Sequence, residues 1–348
     1  MRPSAMHEKH SMMRVEALQA PAAVQRLLAA NTPAVTALAQ GLRQHPPAAV
    51  LTVARGSSDH AAHYLAYLAM VRLGRLVTSL PMSLVTLYPS KLDCTGLVSI
   101  AFSQSGQSPD LVLPTQTFRL RGARTVAVVN DAASPLALAS EWRLPLHAGP
   151  EHSVAATKSY IAQLVAGAQL VAHWQQDAGL LAALQSLPDA LDEAARCDWQ
   201  AALPVLQGAD RLYVISRGLG LAVAMEAALK FKETCGIQAE AFSGAELRHG
   251  PMALVQPDFP LLILAPRGPA QAGLLALAQD LRQHGARVLL AAPPGTAGAE
   301  LALAQTGHED LDPIAAVQSF YGMVEALARA RGLDPDAPRH LSKVTRTR

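Results

Sequence analysis

Twice along this 348-residue chain an apolar run ends in a short loop of small residues that opens directly into helical periodicity. No other feature limits the fold as strongly. In the first series Ala49 to Ala54 leads through Arg55-Gly56-Ser57-Ser58 into a helix that begins at Asp59 and His60, reaches Leu73 and stops at Gly74. The pattern recurs as Leu97 to Phe102, the loop Ser103 to Ser108, a helix to about Arg121 with Gly122 as its stop, and a strand from Thr125 to Val129. Short apolar runs alternating with helices predict parallel strands covered on both faces. The second series begins at Arg211, with Leu212 to Ser216, the loop Arg217-Gly218-Leu219-Gly220, a helix to Cys235 and Gly236 where it stops. Its strands continue at Pro260 to Ala265 and Arg287 to Ala292. Because the segments ending in Arg55-Gly56-Ser57-Ser58 and Arg217-Gly218-Leu219-Gly220 both close a first strand, the chain is predicted to be a duplicated α/β protein built on doubly wound parallel sheets flanked by helices.

The length suits about two ordinary domains, which divides the chain as follows. Residues 1–42 form a tail and helical lead-in, in which Pro21 and Pro33 break the spacing from Val15 to Leu42. Residues 43–200 form the first domain, including a long helix from Val154 to about Trp174, and a polar connector from about Gln175 to Gln207 spans the boundary near residue 200. The second domain spans 201–332, with a helix from Val317 to Arg331, and an irregular tail covers 333–348. A net charge of +2 gives no field suited to nucleic acid or an anionic membrane, so any anion must be met locally. Cys94, Cys197 and Cys235 are odd in number and widely spaced, which argues against a disulfide framework or zinc knuckle and for a reducing, cytoplasmic setting. His7, Glu8, Lys9 and His10 stand where a secretory signal would need an unbroken apolar stretch, so none is expected, and no window of about 18 apolar residues follows. His7 and His10 lie in a polar tail without zinc-site spacing.

Ser103-Gln104-Ser105-Gly106-Gln107-Ser108 has the composition of a phosphate cradle. A dianion needs converging donors, and a helix N-terminus supplies NH groups and a favourable dipole. Ser103, Ser105 and Ser108 offer hydroxyls, Gly106 admits a close backbone approach, Ser108 can cap the helix, and Pro109 suits its first turn. Pro114 falls inside that helix and predicts a bend. The competing reading is an ordinary capped turn. The segment is not a nucleotide P-loop, since no Gly-Lys-Ser/Thr follows, and Val223 stands where a dinucleotide fingerprint beginning at Gly218 needs its third glycine. Ligands of open α/β sheets bind at strand carboxyl ends, which puts Ser57 and Ser58 beside the cradle, either as ligand donors or merely as turn and cap residues.

Glu226, Lys230 and Glu233 stand at i, i+4 and i+7 on one helical stripe. They form either a solvated charge face or an acid-base unit. His249 lies in a loop between glycine and proline, where an imidazole can exchange protons, whereas His60 and His63 carry no such context and read as incidental.

Taken together, the motifs resemble the sugar isomerase (SIS) domain family, and within it the isomerase half of glucosamine-6-phosphate synthase and the SIS-type glucosamine-6-phosphate deaminase. The resemblance runs from about Glu16 to Thr347 and rests on Arg55 to His60, Ser103 to Asp110, Val154 to Ser159, Glu226 to Glu233, Glu240 to Phe242, Glu246 to Pro251 and Leu341 to Thr345. It implies two tandem SIS domains, each a flavodoxin-like three-layer sandwich. It also implies that Ser103, Gln104, Ser105 and Ser108 hold the sugar phosphate, and that Ser58 and the backbone near Val154 hold sugar hydroxyls. By the same resemblance Glu233 is the C1/C2 base, Glu226 and Lys230 organise the site, and Lys343 on the tail contacts the open-chain sugar. His249 would open the ring from the partner subunit of a homodimer with shared sites, with no metal or organic cofactor. A glutaminase half is not expected, since Arg2 follows Met1 where that domain needs a nucleophilic cysteine. Ala156, where the synthase has a serine, makes the Ala155-Ala156-Thr157-Lys158-Ser159 run resemble the deaminase. The expected reaction is deamination of glucosamine 6-phosphate to fructose 6-phosphate. The alternatives are a deglycase or isomerase on another amino-sugar phosphate, a synthase-like isomerase, and a non-catalytic sugar-phosphate sensor.

Overall fold

The computed structural model describes residues 10–88 and 90–343. Helices α1 (Met12–Leu18) and α2 (Ala20–Gln44) precede a first sheet made of β1 (Val50–Val53), β2 (Val77–Ser79), β3 (Val98–Ser103), β4 (Arg124–Val129) and β5 (Trp142–Pro145). Its helices are α3 (Ser57–Leu73), α4 (Ser83–Thr86), α5 (Pro109–Leu120) and α6 (Pro135–Ala139), and it is followed by α7 (Lys158–Gln175), α8 (Ala178–Ala195) and α9 (Leu203–Leu206). The second sheet holds β6 (Arg211–Ser216), β7 (Gln238–Ser243), β8 (Pro260–Leu264), β9 (Arg287–Ala292) and β10 (Leu301–Ala302), with α10 (Gly220–Cys235), α11 (Gln271–Gln283) and α12 (Asp312–Ala330).

The strand orders are β2-β1-β3-β4-β5 and β10-β9-β8-β6-β7, every pair parallel. Read from its other edge, the second order is the first repeated, so the duplication is structural. Each first strand, β1 or β6, lies between the second and third strands of its series. That creates a switch point, where the connections after neighbouring strands depart in opposite directions and leave a crevice at the carboxyl ends. The register Val53↔Ala101 brings the ends of β1 and β3 side by side, and Ile215↔Ile263 does the same for β6 and β8.

Buried central strands explain the unbroken apolar runs, with every residue of β1 and β3 out of solvent. One hydrophobic core joins the inner faces of both sheets through α2, α3, α7, α8, α10 and α12, while two smaller cores cover the outer faces. α7 is the central rod. Every residue from Lys158 to Ala172 is buried, and Gly167 lets α3 approach so closely that an added Cβ would sit 3.4 Å from Leu65 Cβ. The edge strands β2, β5, β7 and β10 lack such runs because they are short or partly exposed.

Three sequence expectations change. α2 runs through Pro33 unbroken, since Pro33 and Ala29, whose carbonyl loses its partner, both face solvent, and Pro21 sits harmlessly in the first turn. The helix expected from Val154 begins only at Lys158. Residues before it form a loop that lets the Glu151 carboxylate accept the NH groups of Thr157 at 3.0 Å and Ser159 at 3.1 Å, capping α7 from a distance. Ser108 stands at the N-cap of α5, yet its hydroxyl makes no capping bond.

Because Leu164 is fully buried on a helix enclosed on all sides, Leu164→Ala is expected to cost about 2–5 kcal/mol, read as a lowered midpoint in equilibrium chemical denaturation.

Candidate active site

At the first switch point β1 delivers Arg55 and Gly56, with Gly56 at φ 55°, and α3 begins at Ser57. β3 delivers Ser103 to Ser108, and α5 begins at Pro109. Two helix N-termini therefore meet there, each with first-turn NH groups lacking intrahelical partners. The cradle is shaped from inside: Ser103 Oγ accepts the Gly106 NH at 3.0 Å, and Ser105 Oγ accepts the Gln107 NH at 3.3 Å. The carbonyls of Gln104 and Gly106 accept the NH groups of Asn130 and Leu136. Gly106 is at φ 65°, and a Cβ there would lie 2.2 Å from Ser134 Oγ, so only glycine fits. Ser108 and the Gln104 side chain, both half-buried, make no hydrogen bond within the described residues. Arg55 pairs with the buried Asp110 at 3.5 Å across the two loops.

α10 turns its charged stripe toward this crevice. Glu226 and Lys230 are wholly buried, which rules out a solvated face for them, and Glu233 is 18% exposed. Lys230 Nζ donates to Ser57 Oγ at 3.1 Å and to Glu233 Oε2 at 2.5 Å, and lies 3.2 Å from Glu226 Oε1. His60 Nδ1 lies 2.9 Å from Glu226 Oε2, and Tyr321 donates its hydroxyl to Glu226 Oε1 at 3.4 Å. Burial pushes the Glu226 carboxyl up, but the Lys230 ammonium and the His60 and Ser57 hydrogen bonds together hold it below the usual range. For Lys230, burial acts downward and the two carboxylates more than compensate, so it stays cationic. Ser58 Oγ accepts from Gln163 Nε2 of α7 at 2.9 Å.

A second cluster forms around the tail. Lys343 Nζ reaches Glu151 Oε2 at 3.0 Å and the Ser153 carbonyl at 2.7 Å. Glu151 is fully buried; desolvation raises its pKa, but Lys343 and the bonds from Ser159 and Thr157 bring it net below the ordinary value. The Val154 NH donates to the Asp336 carbonyl at 3.4 Å, and Asp336 accepts the NH groups of Met12 and Met13 at 2.7 Å each. Val344 and Thr345 lie outside the described residues.

The structure thus joins Ser57, Glu226, Lys230 and Glu233, and separately joins Lys343 to the loop that carries Val154. It does not bring His249 to either cluster. His249 ends an exposed turn, Glu246–His249, and makes no hydrogen bond or ion pair within the described residues. His60, treated as incidental from sequence, is corrected to a partner of buried Glu226. Its spacing of three from Ser57 on α3 was the available signal. Glu151 had no sequence signal, since its partners come from Thr157, Ser159 and Lys343 through the fold. His63 does stay apart, with its Nε2 buried and unpartnered. No group of three metal-ligating side chains occurs, and no helix is long and apolar enough to cross a membrane, among the described residues.

A duplicated doubly wound α/β protein with a serine-rich loop at its first switch point defines the class. The SIS domain model matches residues 46–173 and 205–316, and the chain belongs to that family. It is 37% identical over 317 residues to a glutamine–fructose-6-phosphate aminotransferase (isomerizing) of Aeropyrum pernix, covering 84% of this chain and 50% of that protein. It is 34% identical over 311 residues to the protein of that description from Symbiobacterium thermophilum, covering 84% of this chain and 51% of the relative. The chain therefore spans about half the length of these relatives. Among solved structures, a protein assigned as a phosphosugar isomerase from Silicibacter pomeroyi superposes with a TM-score of 0.89 at 44% identity, covering 94% of this chain and all of the other. A glucosamine-6-phosphate deaminase from Thermotoga maritima superposes at 0.72 with 21% identity, covering 93% and 100%, a likeness of fold.

Removing Lys230 strands a buried carboxylate, so Lys230→Met is expected to destabilise the protein by about 3–5 kcal/mol. Glu226→Gln in the same chain should recover much of that loss in denaturant titrations.

Proposed function

We propose that this chain deaminates glucosamine 6-phosphate, converting it with water to fructose 6-phosphate and ammonia. The observation that carries the reading is the partly exposed Glu233 carboxylate, fixed by buried Lys230, which also grips Ser57 at the switch point where the serine loop stands. A base needs this combination of access and fixed orientation. The two SIS domains, and relatives described as an aminotransferase, a phosphosugar isomerase and a glucosamine-6-phosphate deaminase, support a phosphorylated sugar as the substrate class.

In this reading the phosphate binds in the Ser103, Gln104, Ser105 and Ser108 loop, with Ser57, Ser58 and the Val154 backbone beside the sugar hydroxyls. His249, supplied by a second copy of the chain in a homodimer, moves the proton that opens the pyranose. Glu233 takes the C2 proton, leaving an enolamine, and returns a proton at C1. The C2 amine becomes an imine, which water hydrolyses to the ketone with release of ammonia. Lys230 holds Glu233 in place, Glu226 and His60 hold Lys230, and Lys343 lies toward the open-chain sugar. These residues need no metal or organic cofactor for the sequence of steps. The protein works without a membrane or nucleic acid partner, and the cytoplasm is the setting where such a substrate is met.

Ala156 favours this reading over the amination of fructose 6-phosphate, because its methyl leaves out a hydroxyl that the resemblance to the synthase leads one to expect. The second reading is aldose-ketose isomerisation of another amino-sugar phosphate by the same base.

Purified protein given glucosamine 6-phosphate is expected to release equal amounts of ammonia and fructose 6-phosphate, and Glu233→Gln to lower kcat about 10²–10⁴-fold. No ammonia from the parent, or equal rates from the variant, would sink the proposal. Mixing inactive Glu233→Gln with inactive His249→Ala, then allowing subunits to exchange, should restore about a quarter of parental activity, since half the dimers are mixed and each holds one complete site. Two inactive chains that stay inactive once mixed dimers are demonstrated would place His249 within its own subunit's site.

A further inference from the structure

A cavity of about 970 Å³ opens at the second switch point, where β6 and β8 diverge, away from the candidate active site. That volume lies within the range of small-molecule sites, about 300–1,000 Å³. Its floor repeats the first switch point. Gly218 at φ 64° follows Arg217 as Gly56 at φ 55° follows Arg55, and Gly268 at φ 117° stands after β8 as Gly106 at φ 65° stands after β3. α10 and α11 begin at the two turns, so two helix N-termini again meet at one crevice.

The side chains differ from those of the first cradle in a way that points to a ligand. Arg217 is exposed, lines the cavity, and makes no hydrogen bond or ion pair within the described residues. Arg267 is spent, donating to both Asp312 carboxylate oxygens at 2.7 Å and to the Thr306 carbonyl, so it fixes the wall. Glu309 lines the cavity beside Gly268, exposed and likewise without a hydrogen bond, and Ser243 offers an uncommitted hydroxyl from the end of β7. Tyr67, from the second half of α3, contributes an aromatic ring to the lining. The cavity therefore has a cationic end next to the first turn of α10, an acceptor and a hydroxyl for polar substituents, and an apolar wall.

We infer that this second switch-point cavity is a separate binding site for a sugar phosphate. The phosphate lies against Arg217 and the first turn of α10, while Glu309, beside Gly268 at the turn before α11, and Ser243 meet the hydroxyl or amine groups of the sugar. A bare phosphate uses only the first half of these contacts and binds more weakly. The site does not depend on deaminase chemistry at Glu233.

The test is titration calorimetry of the full chain with fructose 6-phosphate and, separately, inorganic phosphate. Arg217→Glu is expected to bind one equivalent of fructose 6-phosphate per chain fewer than the parent, with its melting temperature and any turnover unchanged within about twofold, because Arg217 is exposed and unbonded. Gly106→Ala, which distorts the first cradle by driving a methyl into Ser134 and Val129, should retain the equivalent that Arg217→Glu loses. The parent should bind the sugar phosphate at least about tenfold more tightly than inorganic phosphate at this site, a difference of about 1.4 kcal/mol. Equal stoichiometry and affinity in the parent and Arg217→Glu, or equal affinity for phosphate and sugar phosphate, overturns the proposal. A chain that releases no ammonia from glucosamine 6-phosphate yet shows the Arg217-dependent equivalent refutes the deaminase reading alone.

Discussion

A buried ammonium organises the junction between the two halves of this protein. Lys230 sits on a helix of the second half with no access to water, and its charge is met by Glu226 and Glu233 from its own helix and by Ser57 from the first half. Burying such a group is tolerable only when nearly every donor has a partner. The positions of α3 and α10 are therefore not independent, since separating them would leave the cation short of Ser57 and Glu226 short of His60. The same arrangement that lets the charge be buried holds one carboxylate, Glu233, at the edge of the crevice.

Duplication supplied two equivalent crevices, and their side chains have since diverged. The first has serine hydroxyls and a glycine locked against Ser134, and its arginine, Arg55, is paired with Asp110. The second has guanidinium and carboxylate groups at the corresponding turns, one arginine tied to Asp312 and another left free. The difference lies in the loops and not in the sheets, whose order and parallel pairing are the same. Loops at strand ends can change chemistry without disturbing the core beneath them.

Most of the fold was legible because central parallel strands announce themselves. β1, β3, β4, β6, β8 and β9 are apolar runs flanked by turn residues, and the stops at Gly74, Gly122 and Gly236 all have positive φ. The edge strands were not, since two to six residues with mixed burial carry no distinguishable period. Within the site, the serine loop and the Glu226, Lys230, Glu233 stripe could be seen because their residues are neighbours in sequence or along one helix. His60 and Glu151 could not, for their charged partners Glu226 and Lys343 lie 166 and 192 positions away. Val154 shows the converse: an apolar, alanine-rich stretch suggests helix, yet the buried Glu151 carboxylate takes the helix start for itself and leaves those residues as a loop.

The link between Lys343 and Glu151 also sets an order of events. Residue 343 follows both sheets in the chain, while Glu151 is buried in front of α7 in the first half. Asp336, from the same tail, holds the start of α1 and accepts the Val154 NH, so the first helix and the tail after the last one are fastened to one loop. During synthesis the first half can fold long before its lysine emerges, leaving a carboxylate waiting for its cation. A nascent chain therefore carries its serine loop early and its tail last, and the Lys343–Glu151 contact is made only in a molecule whose translation has passed both domains.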